Sequence, residues 1–100
     1  MIARVWKGTA RDGALDSYLE HLEHALVPEL RQIDGFGGLE VLRRHGSLDV
    51  IVVTRWASMD VVRRFAGEDP SVAVVPPAAQ RLLASYDAHA EHYDIALAAR

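Results

Sequence analysis

The chain has no cysteine. That removes a disulfide framework, a thiolate metal site and a cysteine nucleophile, and it fits a reducing compartment. It has no positive excess either: 11 Lys and Arg against 14 Asp and Glu give a formal net charge of −3. Broad nucleic-acid binding needs a basic stripe that displaces counterions, so no nucleic-acid partner is expected. Unbroken apolar runs, such as residues 50–53, are only a few residues long. A membrane span needs about 20, so no membrane partner is expected. The start, Met1-Ile2-Ala3-Arg4, lacks the apolar core of a signal peptide, which suggests a cytoplasmic protein. Dinucleotide, phosphate-loop and nucleophile-elbow motifs are missing. The glycines 35, 37 and 38 follow a helix and precede a strand, the wrong order for a phosphate cradle. No cofactor and no resident metal are therefore expected.

Half of the chain is hydrophobic and a quarter charged, the balance of a folded domain. With 100 residues and no linker or repeat, it reads as one domain over residues 1–100. Residues 2–7 read as a strand closed by Gly8. Asp12 is a plausible cap for a helix whose stripe is Leu15, Tyr18, Leu19, Leu22, Leu26 and Leu30. Pro28 predicts a kink or restart. Residues 39–45 and 48–56 form a hairpin across Gly46-Ser47. Ser58 caps a second helix over 59–66 that ends at Gly67. Residues 69–83 suggest short helical turns joined by extended pieces, and 86–97 a last strand. The order β-α-β-β-α-β predicts an α+β, ferredoxin-like fold with an antiparallel sheet and both helices on one face. On the third strand Val50, Val52 and Trp56 share a face, while Ile51 and Val53 share the other. Two helices cover one face only, so a second copy is expected to cover the rest, making a homodimer.

Several short pieces then fall into a known order: Met1-Ile2-Ala3-Arg4-Val5-Trp6, Tyr18-Leu19-Glu20, Arg55-Trp56-Ala57-Ser58-Met59, Phe65-Ala66-Gly67 and Glu91-His92-Tyr93-Asp94. Together they resemble the antibiotic biosynthesis monooxygenase (ABM) domain family of the dimeric α/β barrel superfamily, over essentially the whole chain. The resemblance implies a dimeric barrel with a pocket in each subunit between helices and sheet. It also implies cofactor-independent oxidation of an aromatic, quinol-like substrate. A non-catalytic ligand-binding or stress-related dimer of the same fold is the alternative, and haem binding or degradation a third. The haem-degrading branch uses an Asn on the first strand, a Trp on the third and a His after the second helix. This chain keeps only the Trp, as Trp56.

Trp56 could line a pocket and stack on an aromatic ring; the plainer reading is a core tryptophan at the strand–helix corner. His21 and His24 are three apart on the first helix, with Glu20 four residues before His24. His24 could take a proton from a phenol, while the cluster lacks a third metal ligand. His89 and His92 would point to opposite faces of a regular strand. His92, which matches the family pattern with Tyr93, is the better candidate for a proton or hydrogen-bond partner, against a structural hydrogen bond. Trp56, His24 and His92 are thus the expected catalytic set. Trp6, Tyr18, Arg43 and Tyr86 are expected to bind a small aromatic or apolar ligand. Arg43 and Arg44 face opposite sides, so one could reach the pocket; ion pairing is the plainer use of these and of Arg55.

Overall fold

Strand β1 (Ile2–Ala10) is the hub of the sheet. It pairs antiparallel with β3 (Asp49–Trp56) on one side and with both β4 (Leu83–Tyr86) and β5 (Glu91–Asp94) on the other. β2 (Phe36–Arg43) pairs antiparallel with β3 at the outer edge. The order β2-β3-β1-β4, with β5 also on β1, is the antiparallel ferredoxin-like arrangement. The structure is a computed structural model and describes all 100 residues.

β1 runs past Gly8, which the sequence suggested would close it. Gly8 pairs with Val50 on one side and Tyr86 on the other. A Cβ there would meet Trp6 at 3.2 Å and Tyr86 at 3.3 Å. This glycine permits close approach within a strand rather than ending it. The hairpin forms as expected, with Arg44 donating to Asp49 and Gly46 at φ 74°.

The first helical region starts without Asp12 as its cap. The cap position is Ala14, whose N–H bonds Arg11 O, and it receives no side-chain bond. Helix α1 (Leu15–His21) passes through a π-helical stretch, Leu22–Leu26, into α2 (Val27–Leu30). Leu22, Leu26 and Leu30 are spaced by four, and in a pure α-helix such a row drifts around the axis. The π stretch under-rotates the chain and cancels that drift, so Leu22 and Leu30 are buried and Leu26 packs against both apolar clusters. Pro28 falls just past the junction of the π stretch and α2, where the helix continues although its ring nitrogen can donate no bond to the turn before it.

Helix α3 (Met59–Ala66) is capped as expected, the Ser58 hydroxyl accepting from Val61 N–H at 3.3 Å, and it ends at Gly67 with φ 92°. A short α4 (Pro77–Gln80) follows. The last strand departs from expectation: residues 86–97 do not form one strand. Ala88 O and Ala90 N bond Ala73 and Ser71, and His89 bridges Val72, so residues 88–90 leave β1 to pair with the segment before α4, while Asp87 N–H still bonds Lys7 O. After Asp94 the chain is no longer strand.

The register divides the sheet cleanly. The face under the helices carries Ile2, Arg4, Trp6, Val50, Val52, Thr54 and Trp56. The other face carries Val5, Ile51 and Val53, each half-buried, with Leu42 49% and Tyr93 51% exposed. No helix packs on that second face. No helix of the chain is long and apolar enough to cross a membrane.

Candidate functional site

Between the helices and the inner face of the sheet lies a cavity of about 480 Å³. Its floor is Arg4 and Trp6 of β1 with Val52 and Thr54 of β3. Tyr18, His21, Leu22, Ala25, Leu26 and Glu29 descend from α1, the π stretch and α2. Phe65 closes one side, and Val74, Val75, Pro76 and Ala79 another. The size and mostly apolar lining suit a small ring system with a few polar contacts.

Two polar side chains of the lining, Arg4 and Tyr18, are deeply buried, and His92 stands behind Arg4. Arg4 is only 5% exposed. It donates from Nη1 to Pro70 O and from Nη2 to Val72 O at 3.0 Å, and it lies 5.8 Å from the Phe65 ring centre. Its Nη1 also lies 3.0 Å from His92 Nε2. Arginine can only donate, so that imidazole nitrogen must hold its lone pair and the ring is neutral, with its proton on Nδ1. Burial, Arg4 and then Arg63 all push the His92 pKa down, which agrees with a neutral ring. Burial also lowers the pKa of Arg4, though arginine stays charged. Tyr18 is 2% exposed, and burial pushes its phenol up to about 12. No hydrogen bond within the chain uses its hydroxyl, yet that oxygen is not sealed from solvent. It is a protonated donor on the cavity wall.

Trp56 lies behind the wall rather than in it. It is fully buried, with its indole N–H donated to Thr54 Oγ1 at 2.8 Å. Its ring stacks on Phe65 at 5.5 Å and meets Phe36 edge-on at 5.3 Å. It therefore fixes two residues that line the cavity, Thr54 and Phe65, without lining it.

The structure brings Trp6 and Tyr18 to the cavity and His92 next to it, bonded to Arg4. It does not bring His24 there. His24 is exposed on the π stretch, while His21, one turn earlier, lines the cavity. Arg43 and Tyr86 also lie elsewhere, in a larger and more polar hollow of about 580 Å³ at the Lys7–Thr9 end of the sheet. Trp6 is held by its indole N–H on Asp87 O at 2.7 Å and by contact with the Tyr86 ring, 6.0 Å away. Of the other arginines, Arg55 pairs with Glu40 and Arg44 with Asp49 at 3.7 Å, as the plainer reading held. The sequence reading missed Arg4 as a site residue. Its signal was strand parity, since Arg4 shares the inward side of Trp6.

No cluster of three or more His, Asp or Glu side chains is placed to hold a metal ion. Haem fits this lining poorly. The segment before α4 supplies Val74, Val75 and Pro76 and no iron ligand, and the first strand supplies Arg4 and Trp6. The one imidazole on the wall is His21.

Fold and site together define a small α+β protein with a helix-covered, largely apolar cavity. The chain belongs to the antibiotic biosynthesis monooxygenase family, whose model matches residues 1–77. Solved structures of the same fold include the haem degrader MhuD of Mycobacterium tuberculosis with two haems bound in its active site. It is 16% identical, with TM-score 0.72 and 100% of both chains covered. A monooxygenase from the ActVA-Orf6 gene of Streptomyces coelicolor, in complex with nanaomycin D, is 17% identical with TM-score 0.57. That match covers 69% of this chain and 62% of the other. A protein from Shewanella oneidensis is 19% identical, with TM-score 0.70, covering 92% of this chain and 87% of that one. No curated protein matches the chain significantly.

Proposed function

We propose that the protein is a small oxygenase that oxidises an aromatic, quinol-like substrate in the cavity between helices and sheet, working as a homodimer. The observation that carries this reading is the cavity: a ring-sized, mainly apolar space whose polar groups include a buried cation and a buried phenol. A quinol-like substrate brings its own electrons. When a CH₂ flanked by two aromatic rings becomes C=O, one atom of O₂ enters the product and the other leaves as water, so no external reductant is needed. The protein's part is to hold the ring, exclude water and place hydrogen-bond donors at the oxygen where charge gathers. In this reading Trp6 and Phe65 are the aromatic walls and Tyr18 donates to a substrate oxygen. His92 acts from behind by setting the orientation of Arg4. Trp56 is a positioning residue. His24, Arg43 and Tyr86 have no part at this cavity.

The ActVA-Orf6 structure, with nanaomycin D bound, supports an aromatic ligand in this fold. The homodimer rests on the uncovered apolar face around Val5, Ile51, Val53, Leu42 and Tyr93. A second sheet laid on it would remove that surface from water.

Oxygen uptake with anthrones and dihydroxynaphthalenes tests the activity. Turnover above the buffer rate, lost in Tyr18→Phe, is the expected result; no turnover across a broad panel overturns catalysis. If Trp56→Phe weakens ligand affinity in a protein that never turns over, the chain is a binding protein. A haem titration provides the further control: a saturable Soret shift would move the reading to the haem-degrading branch.

A further inference from the structure

We propose that Gly8 is a positioning residue that sets the size limit of the cavity. Its bare Cα lets the Trp6 indole lie back against β1, and the space this leaves open is taken by the ligand. The inference rests on the reading of the cavity as an aromatic site and adds what decides how large a ring system enters it.

The backbone does not explain this glycine. Its φ lies outside the left-handed region that five other glycines of the chain occupy. It is buried in the interior of β1, where a residue without a side chain packs nothing and weakens the strand. It pairs with Val50 and Tyr86, and strand alternation turns its empty side toward the inner face, with Arg4 and Trp6.

Trp6 occupies the place a side chain would take. A Cβ on Gly8 would stand 3.2 Å from Trp6 Cη2, 3.3 Å from Tyr86 Cβ and 3.4 Å from the Ser85 carbonyl oxygen. Carbon atoms in good contact sit about 3.5–4.0 Å apart. The Tyr86 and Ser85 atoms belong to β4, which is paired to β1, so they move only if the strand moves. Cη2 is the outer corner of an indole and has more freedom. The indole N–H is tied to Asp87 O at 2.7 Å, so the ring yields by pivoting about that bond. The Tyr86 ring, 6.0 Å away and tilted by 45°, stands in the way on the β4 side. Trp6 thus has Gly8 on one side and the cavity of about 480 Å³ on another. A methyl group on Gly8 would tilt the indole off the strand and into the space of the ligand. A wall that moves inward by even a fraction of an ångström touches a fused ring system before it touches a single ring.

The plainer role for Gly8 is close packing of β4 on β1, and size selectivity separates the two roles. The probes are phenol, 1-naphthol and 2-hydroxyanthraquinone, which carry one hydroxyl each on one, two and three rings. Their dissociation constants from the intact protein are read by equilibrium dialysis. Gly8→Ala should weaken the three-ring probe at least about fivefold and phenol by less than about twofold. In a Trp6→Phe background, where the shorter ring does not reach Gly8, the same Gly8→Ala change should cost the three-ring probe less than about twofold. If Gly8→Ala weakens all three probes alike, or acts equally with and without Trp6→Phe, Gly8 is only a packing residue and the proposal falls, while the aromatic cavity stands. If no probe binds the wild type, the aromatic reading falls and takes the proposal with it. Should Gly8→Ala not fold, as judged by circular dichroism, Trp6→Phe alone decides. It should raise the affinity of the three-ring probe relative to phenol at least about threefold, and an unchanged ratio overturns the proposal.

Discussion

Two arginines on one sheet have opposite settings. Arg55, on the face without helices, is exposed and pairs with Glu40. Arg4, on the face under the helices, is buried and has no carboxylate. A surface pair such as Arg55–Glu40 contributes little because water already solvates both charges. A buried cation without a partner is a liability for folding that the rest of the structure must offset. The two faces differ in the same sense. The inner one is closed by its own helices around a chamber. The outer one carries hydrophobic residues, Leu42 and Tyr93 among them, that the single chain leaves in contact with water.

The strongest way to break the inner face is Trp56→Ala. It removes a fully buried ring that contacts Phe36 and Phe65, and it should cost about 3–5 kcal/mol in denaturant unfolding. Next comes the outer face. Ile51→Glu places a charge in the middle of the apolar patch. By light scattering it should convert a dimer to monomers at micromolar concentration, with dimer affinity falling at least about tenfold. A wild type that is already monomeric would remove the reason for the twin sheet.

Acid should act on the inner face through His92. The folded-state pKa of His92 lies below its ordinary value of 6.5, so the unfolded chain binds the proton more readily. Stability from this group is therefore present above pH 6.5 and is lost as pH falls through the lower folded-state value. Protonation would also set two donors, His92 Nε2–H and Arg4 Nη1–H, against each other. Melting temperature should decline modestly across that interval, and the decline should flatten in His92→Gln. The smallest effect is expected for Glu40→Gln, about 0–1 kcal/mol, because both partners of that pair are about half exposed. A much larger loss would sharpen the comparison differently, by indicating that a twin sheet dries the pair.

Local chemistry made much of the fold readable. Ser58 and Gly67 bracket α3, Gly46-Ser47 marks the hairpin, and alternation along residues 50–56 distinguishes the two faces. What stayed hidden was set by distant partners. The final strand breaks because residues 88–90 pair with 71–73, which no periodicity encodes. The role of Arg4 depends on Pro70, Val72 and His92, which are 66, 68 and 88 positions away. His24 was misplaced for a subtler reason. A three-residue spacing assumes α-helical rotation, and the π stretch alters it just where the two histidines sit.

The pairing of residues 71–73 with 88–90 also bears on how a ligand comes and goes. The wall that follows, Val74 to Pro76, is stitched down at both ends: to Ala88 and Ala90 on one side, and by the Gln80 amide on Val75 O at 2.8 Å on the other. Swinging it outward would rupture several of these stitches at once. Passage is easier at the helical doorway, where His21, Ala25 and Glu29 border the chamber and the last two are exposed. There, rotation of side chains is enough, on a picosecond-to-nanosecond scale rather than that of a moving loop. Arrival and departure should therefore be quick, so that in the proposed oxygenase the chemistry, not the opening of a gate, sets the pace.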